Sequence, residues 1–238
     1  MGIAPDAAAV TLHRFFVAPD AMRGDRFPLP ESIDHQVTNV LRLQDGDRLV
    51  LLDGAGEAAT VRLAAGACEV ESRTPAGGEP VHRLVVWQAL LRGDHLEPVI
   101  RHGTEIGIAA FRLFVSERCV ARELSPRRLE RLRAVAREAA EQSERGLVPS
   151  VAGPVPLRDA LEPTAVLLYE RADGTRLGSL TPPAGLVIGP EGGFSPGEVA
   201  AAEQAGMTVA GLGPRILRSE SVALAAAAVV LSRSGDFA

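Results

Sequence analysis

Residues 186–198, Leu-Val-Ile-Gly-Pro-Glu-Gly-Gly-Phe-Ser-Pro-Gly-Glu, decide how this chain is read. The apolar run Leu186-Val187-Ile188 stops at a glycine-rich turn. Ser195 then precedes Glu198 by three positions, with Pro196 at the first helical position, so a capping box opens a helix. Strand, glycine loop and helix in succession belong to an α/β sheet, where ligands sit beyond the carboxyl ends of strands. Glycines let the backbone come close to such a ligand. Two phosphate-binding readings fail. The spacing is not GxGxxG, and GxxxxGK[ST] requires a lysine, which the chain does not contain. Glu191, in the middle of the loop, would repel a pyrophosphate. It suits a ligand with hydroxyls or positive charge. Taken alone, the loop is equally well a plain strand-to-helix turn.

A second loop weighs against the plain turn. Met207–Leu212 is another short apolar run, and it leads into Gly213-Pro214-Arg215-Ile216-Leu217-Arg218-Ser219-Glu220. Ser219 is expected to cap an alanine-rich helix over Val222–Leu231. Two strand ends then carry glycine-containing loops, and together they can wall one pocket.

Outward from these loops, residues 76–238 alternate. Leu84–Leu90, Phe111–Ser116 and Ala165–Tyr169 read as strands, Asp94–Gly107 as a helix ending at glycine. Ser125-Pro126 opens a helix on which Leu129, Leu132, Val135, Ala136, Ala139 and Ala140 share a face. This pattern predicts an α/β domain with a largely parallel sheet. Residues 1–75 read differently. His13–Val17, Asp47–Asp53, Ala58–Leu63 and Cys68–Ser72 are short strand candidates with turn signals between them, and one short helix falls around Ser32–Leu41. A small barrel or sandwich is expected. Thr74–Pro80, rich in Pro and Gly, is the linker signal.

Composition narrows the class. With 238 residues, 46% hydrophobic and 23% charged, the chain has material for one large or two modest well-cored domains. No apolar run reaches the ~18 residues of a membrane span. The start, MGIAPDAAAV, lacks a basic flank and a long apolar core, and Asp6 stands where myristoylation wants Ser or Thr. Cys68 and Cys119 form no metal or redox spacing; packed thiols in a reducing cytoplasm fit best, and no metal is expected. The formal net charge of −5 argues mildly against nucleic acid, but its distribution is uneven. Residues 1–72 hold six arginines against eleven acids, residues 112–145 nine arginines against six. The arginine-rich segment reads first as a solvated helix face laced with salt bridges. Arginine also pairs with phosphate and stacks on bases.

"IGPEGGFSPGE" followed by "GLGPRILRSES" resembles the C-terminal signature of the RsmE family, the 16S ribosomal RNA uridine-N3 methyltransferases of the SPOUT superfamily. "HRFFV" at 13–17, the H-x-x-x-V-L-R-x-x-x-G-D element at His35, Val40, Leu41, Arg42, Gly46 and Asp47 (with one extra residue before the valine), "GTEIGI" at 103–108 and "REAAEQSERGLVP" at 137–149 extend it over most of the chain. Three departures stand out. The family's SET is Ser219-Glu220-Ser221 here, a common lysine is replaced by Arg92, and Gly103 precedes Thr104.

The resemblance implies a PUA-like β-barrel over residues 1–75 and, over 76–238, a SPOUT α/β domain with a deep trefoil knot. It implies S-adenosylmethionine as cofactor and a homodimer acting on 16S ribosomal RNA or the small ribosomal subunit. By motif match the cofactor pocket takes Leu168, Tyr169, Gly189, Pro190, Glu191, Gly192, Gly193, Leu212, Gly213, Arg215, Ile216 and Leu217. Uracil N3 must lose a proton before it accepts a methyl group, so a base or an anion stabiliser is needed. Arg218 is the expected stabiliser. Glu138 and Gln142, at i and i+4 on one helix face, and Arg145 are expected to orient the base, from the partner subunit if need be. His13, Arg14, His35, Arg42 and Arg92 are the RNA-binding candidates. Two other readings stay open: a related knotted methyltransferase with another target position, and a catalytically silent RNA-binding assembly factor.

Overall fold

The structure is a computed structural model that describes residues 12–172 and 174–237. The N-terminal residues weighed above for signal and lipidation, including Asp6, lie outside them. The chain divides into two compact units. The first is Met1–Gly77 together with Glu144–Leu147, the second Gly78–Ser143 together with Val148–Ala238. Among the described residues no helix is long and apolar enough to cross a membrane.

The first unit contains β1 (His13–Phe16), β2 (Arg26–Pro28), α1 (Glu31–His35), β3 (Arg48–Leu52), β4 (Glu57–Ala64) and β5 (Ala67–Pro75). They form one mixed sheet of order β1-β3-β4-β5-β2, in which β1 and β3 are parallel and the remaining pairs antiparallel. Phe15, Leu49, Leu51, Val61 and Leu63 cover one side and close a core with Phe27, Ile33 and Val37. The β3–β4 turn is built on Asp53, whose carboxylate accepts the backbone N–H groups of Ala55, Gly56 and Glu57 at 2.8, 3.0 and 2.9 Å. Slight burial pushes this carboxyl up, but the backbone donors outweigh it and hold it below the usual aspartate range. The helix expected over Ser32–Leu41 is a composite. α1 continues into a π-helical turn over Gln36–Val40, and Arg42 follows at φ 56°. Cys68 is buried, and burial raises its thiol to about 11, so it stays protonated and inert at neutral pH. Glu144 joins this unit through an ion pair with Arg14 at 2.9 Å.

The second unit contains β6 (Val85–Ala89), α2 (Leu96–Glu105), β7 (Ala110–Val115), α3 (Pro126–Gln142), β8 (Ser150–Pro156), β9 (Ala165–Leu168), β10 (Gly185–Ile188), α4 (Pro196–Gln204), β11 (Thr208–Ala210) and α5 (Ser219–Arg233). All five pairings in its sheet, of order β11-β9-β10-β6-β7-β8, are parallel. β9 and β10 are buried along their whole length, as strands covered on both faces must be. Because the strands run one way, the loops that follow β6, β9, β10 and β11 gather at one edge. The expected caps are present at two helices. Ser125 Oγ accepts from the Arg128 N–H, and Ser195 with Glu198 completes the capping box.

One expected cap is not. Ser219 is the first residue of α5, whose N-cap is Arg218 with no side-chain cap bond. The Ser219 hydroxyl is engaged in the site instead. The arginine-rich segment is largely a paired surface. Arg131 meets Glu97, Arg133 meets Glu130, and Arg118, Arg122 and Arg128 donate to backbone carbonyls.

Candidate functional site

The loops at the carboxyl edge of the second sheet enclose a cavity of about 480 Å³. That volume is in the range of small-molecule and cofactor sites. Leu168 and Tyr169 come from the end of β9. Gly189, Pro190, Glu191, Gly192 and Gly193 come from the loop after β10, and Leu212, Gly213, Arg215, Ile216 and Leu217 from the loop after β11. So every residue expected in the cofactor pocket lines this one cavity. Arg218, expected to act on the substrate, and Arg92, expected on RNA, line it too.

The loop after β10 is braced from several directions. The Glu191 carboxylate accepts the Arg92 backbone N–H at 2.9 Å and faces the Arg92 guanidinium at 3.7 Å. Glu191 thus ties the loop to the segment following β6. Ser219 Oγ donates to the Gly189 carbonyl at 2.6 Å and accepts from Gln88 Nε2 at 3.0 Å, which links α5, the loop and β6. Gln88 is fully buried, and its Oε1 has no partner among the described residues. Arg118 donates to the Gly192 carbonyl at 3.1 Å. Phe194 stacks on Phe114 of β7, with ring centroids 6.4 Å apart. Gly193 sits at φ 66°, where a side chain is strained, and a Cβ there would lie 3.4 Å from a Glu170 carboxylate oxygen.

Charge in the cavity is mixed. Arg92, Arg215 and Arg218 face Glu170, Glu191 and Glu220, and the apolar walls are Leu168, Ile188, Leu212, Ile216, Leu217 and Val222. His95 Nδ1 lies 3.3 Å from Glu220 Oε1. Three carboxylates make this a poor polyphosphate site. Backbone-rich loops, apolar walls and both signs of charge fit a nucleoside that carries an amino acid and a sulfonium centre. Ile216 is 82% exposed, an apolar side chain at the rim with nothing of this chain over it.

The other expected residues lie elsewhere. Glu138 and Gln142 are exposed on α3 and do not line the cavity. Arg145 belongs to the first unit and is 2% exposed. His13, His35 and Arg42 are exposed residues of the first unit, His35 lying 3.2 Å from the Asn39 amide, and Arg14 is held by Glu144. The sequence reading missed His95 and Glu170 as cavity residues. Glu170 directly follows Tyr169, so extending the loop logic by one residue would have found it. For His95 the sequence carries no signal, since its partner is 125 positions away.

The parallel sheet with its two glycine loops defines a class of enzyme. Residues 78–231 match the RNA methyltransferase domain family, and residues 37–71 match the RNA methyltransferase PUA domain family. The ribosomal RNA small subunit methyltransferase E of Synechocystis is 33% identical over 225 residues, covering 88% of this chain and 74% of that protein. Its counterpart from Mycobacterium bovis is 36% identical over 221 residues, with 82% of each chain covered. The crystal structure of the Neisseria gonorrhoeae enzyme of that name, bound to S-adenosylmethionine, superposes with a TM-score of 0.85 at 29% identity and covers 93% of this chain and 97% of its own. A Legionella pneumophila structure with S-adenosylmethionine bound superposes with a TM-score of 0.82 at 25% identity, covering 94% and 98%. The chain belongs to the ribosomal RNA small subunit methyltransferase E family.

Proposed function

We propose that this chain transfers the methyl group of S-adenosylmethionine to N3 of a uridine in the 16S ribosomal RNA of the small subunit. The observation that carries this reading is the cavity between the loops after β10 and β11, which combines backbone, apolar and mixed-charge walls. The bound cofactor supplies an electrophilic methyl group on sulfur. The glycine loops would hold it by backbone groups, and Glu170 and Arg215, which line the same cavity, would supply charges of both signs to its charged groups. Arg218, exposed and with a guanidinium that has no partner among the described residues, places a positive charge where uracil becomes an anion. Its guanidinium lowers the cost of removing the N3 proton and holds the flat base in one plane.

The first unit docks RNA through His13, His35 and Arg42, by phosphate contact and stacking. Arg14 contributes less, because Glu144 already holds it. Glu138 and Gln142 reach the substrate from a second copy of the chain, so the active form is a homodimer. The second unit is a trefoil knot. The path that supports it runs from β11 at the sheet edge back to mid-sheet, where Ser219 bonds both Gly189 and Gln88.

Deleting the gene and analysing ribosomal RNA by mass spectrometry tests the activity. One N3-methyluridine in 16S RNA should disappear and return with the wild-type gene. An unchanged methylation pattern would refute the reading and favour a silent assembly factor.

A further inference from the structure

His95 lines the cavity on the loop between β6 and α2, and Glu220 lines it from the first turn of α5. Their side chains meet at 3.3 Å, Nδ1 to Oε1. Neither residue is among those expected to hold the cofactor. A carboxylate on Nδ1 fixes the tautomer of an imidazole: the proton stays on Nδ1 and the lone pair on Nε2. Glu220 is mostly sheltered, with a side chain 20% exposed, whereas the His95 side chain is 46% exposed and open to a ligand. An oriented imidazole beside a carboxylate in a cavity with a free arginine is the equipment of a general base.

We propose that His95, oriented by Glu220, is the base that removes the N3 proton of the acceptor uracil. This rests on the function proposed above. The N3–H bond breaks and the proton passes to His95 Nε2. The electron pair left on N3 forms the bond to the methyl carbon as the carbon–sulfur bond breaks. Sulfur keeps the pair of the broken carbon–sulfur bond and loses its positive charge, and His95 returns the proton to water. Arg218 stabilises the charge that collects on the uracil oxygens during the step. Glu220 is a positioning residue: it touches His95 and not the substrate.

Charged groups around His95 come from every neighbouring element. Glu220 lies on α5, Arg218 just before it, Arg92 and Asp94 on the same loop, and Glu191 after β10. Arg128 of α3 bonds the Gly93 carbonyl.

The test uses the full-length protein, saturating S-adenosylmethionine and small subunits lacking the methyl group, in single turnover. The wild-type rate should rise with pH and level off once the base is deprotonated. His95→Gln should lower the plateau about 100-fold and abolish that inflection, while calorimetry finds cofactor affinity within about twofold of wild type. Long-range ¹H–¹⁵N NMR of the free protein should show His95 with its proton on Nδ1. Glu220→Gln should lose that tautomer and lower the plateau rate, with cofactor affinity again within about twofold of wild type. A His95→Gln rate within about threefold of wild type, or an NMR tautomer protonated on Nε2, overturns the assignment. So does loss of cofactor binding in His95→Gln, which would make the residue part of the cofactor site. A wild-type protein that binds cofactor but transfers no methyl to the subunit overturns the underlying function itself.

Discussion

At the scale of single residues, Arg218 and Glu191 sit in one cavity and do opposite jobs. The Arg218 guanidinium has no partner among the described residues, so its charge is available to a substrate. Arg218→Ala should cut turnover about 100-fold while leaving S-adenosylmethionine affinity close to wild type, as measured by single-turnover assay beside calorimetry. Glu191 is engaged with Arg92 through both backbone and guanidinium. Glu191→Ala removes the tie between two pocket loops and leaves the Arg92 N–H without its acceptor. Cofactor affinity should weaken about tenfold, in line with a lost charge-assisted hydrogen bond of about 1.5 kcal/mol. A Glu191→Ala protein with unchanged cofactor affinity would show that the rest of the loop holds itself.

At the scale of elements, α4 and the β3–β4 turn each depend on one side chain. Ser195→Ala should destabilise the protein by about 1 kcal/mol in denaturant unfolding, because the hydroxyl caps α4 and also donates to Glu117 at 2.7 Å. Asp53→Ala should cost about 1 kcal/mol at neutral pH through the three lost backbone bonds. The Asp53 carboxyl is depressed in the folded state. Its contribution is therefore complete above the unfolded aspartate value, near ~3.9, and fades as pH falls through the lower folded value. The difference between wild type and Asp53→Ala should shrink in acid and stay flat from pH 5 to 8.

These local devices were legible in the sequence because each is written within a few residues. The capping box at Ser195 and the turn after Asp53 are examples, as are the apolar runs that became β3, β4, β6, β9 and β10. What was not legible depends on partners far along the chain. β8, Ser-Val-Ala-Gly-Pro-Val-Pro, is absent from the strand candidates, because a glycine and two prolines interrupt its apolar residues. It is a strand because it lies at the sheet edge, where proline is tolerated, and a Cβ at Gly153 would come within 2.3 Å of the Leu113 carbonyl. Ser219 reads as a helix cap from its neighbours, yet its hydroxyl bonds Gly189 and Gln88, 30 and 131 positions away. The membership of Glu144–Leu147 in the first unit has no local signature either.

At the scale of the whole molecule, the cavity gathers the expected cofactor residues and Arg218 but leaves Glu138 and Gln142 outside it, exposed on α3. A homodimer resolves this if each site takes its loops and Arg218 from one copy and its α3 polar face from the other. That arrangement makes a prediction about mixtures. Arg218→Ala damages the site built on its own loops. Glu138→Ala with Gln142→Ala damages the site of the neighbour. A mixed dimer of the two therefore holds one site with both defects and one site with neither. Two inactive proteins, unfolded and refolded together or coexpressed with different tags, should recover activity in the mixed dimer, about half of wild type per dimer, while each parent dimer stays low. Purification through both tags isolates the mixed species, and methyl transfer to unmethylated small subunits reads its activity. No recovery in a confirmed mixed dimer means that the α3 residues act on their own chain or not at all. Near wild-type turnover of the Glu138→Ala, Gln142→Ala parent removes them from the site entirely. A monomer by sedimentation would remove the shared site altogether and leave Arg218 and the glycine loops of a single chain to do the chemistry.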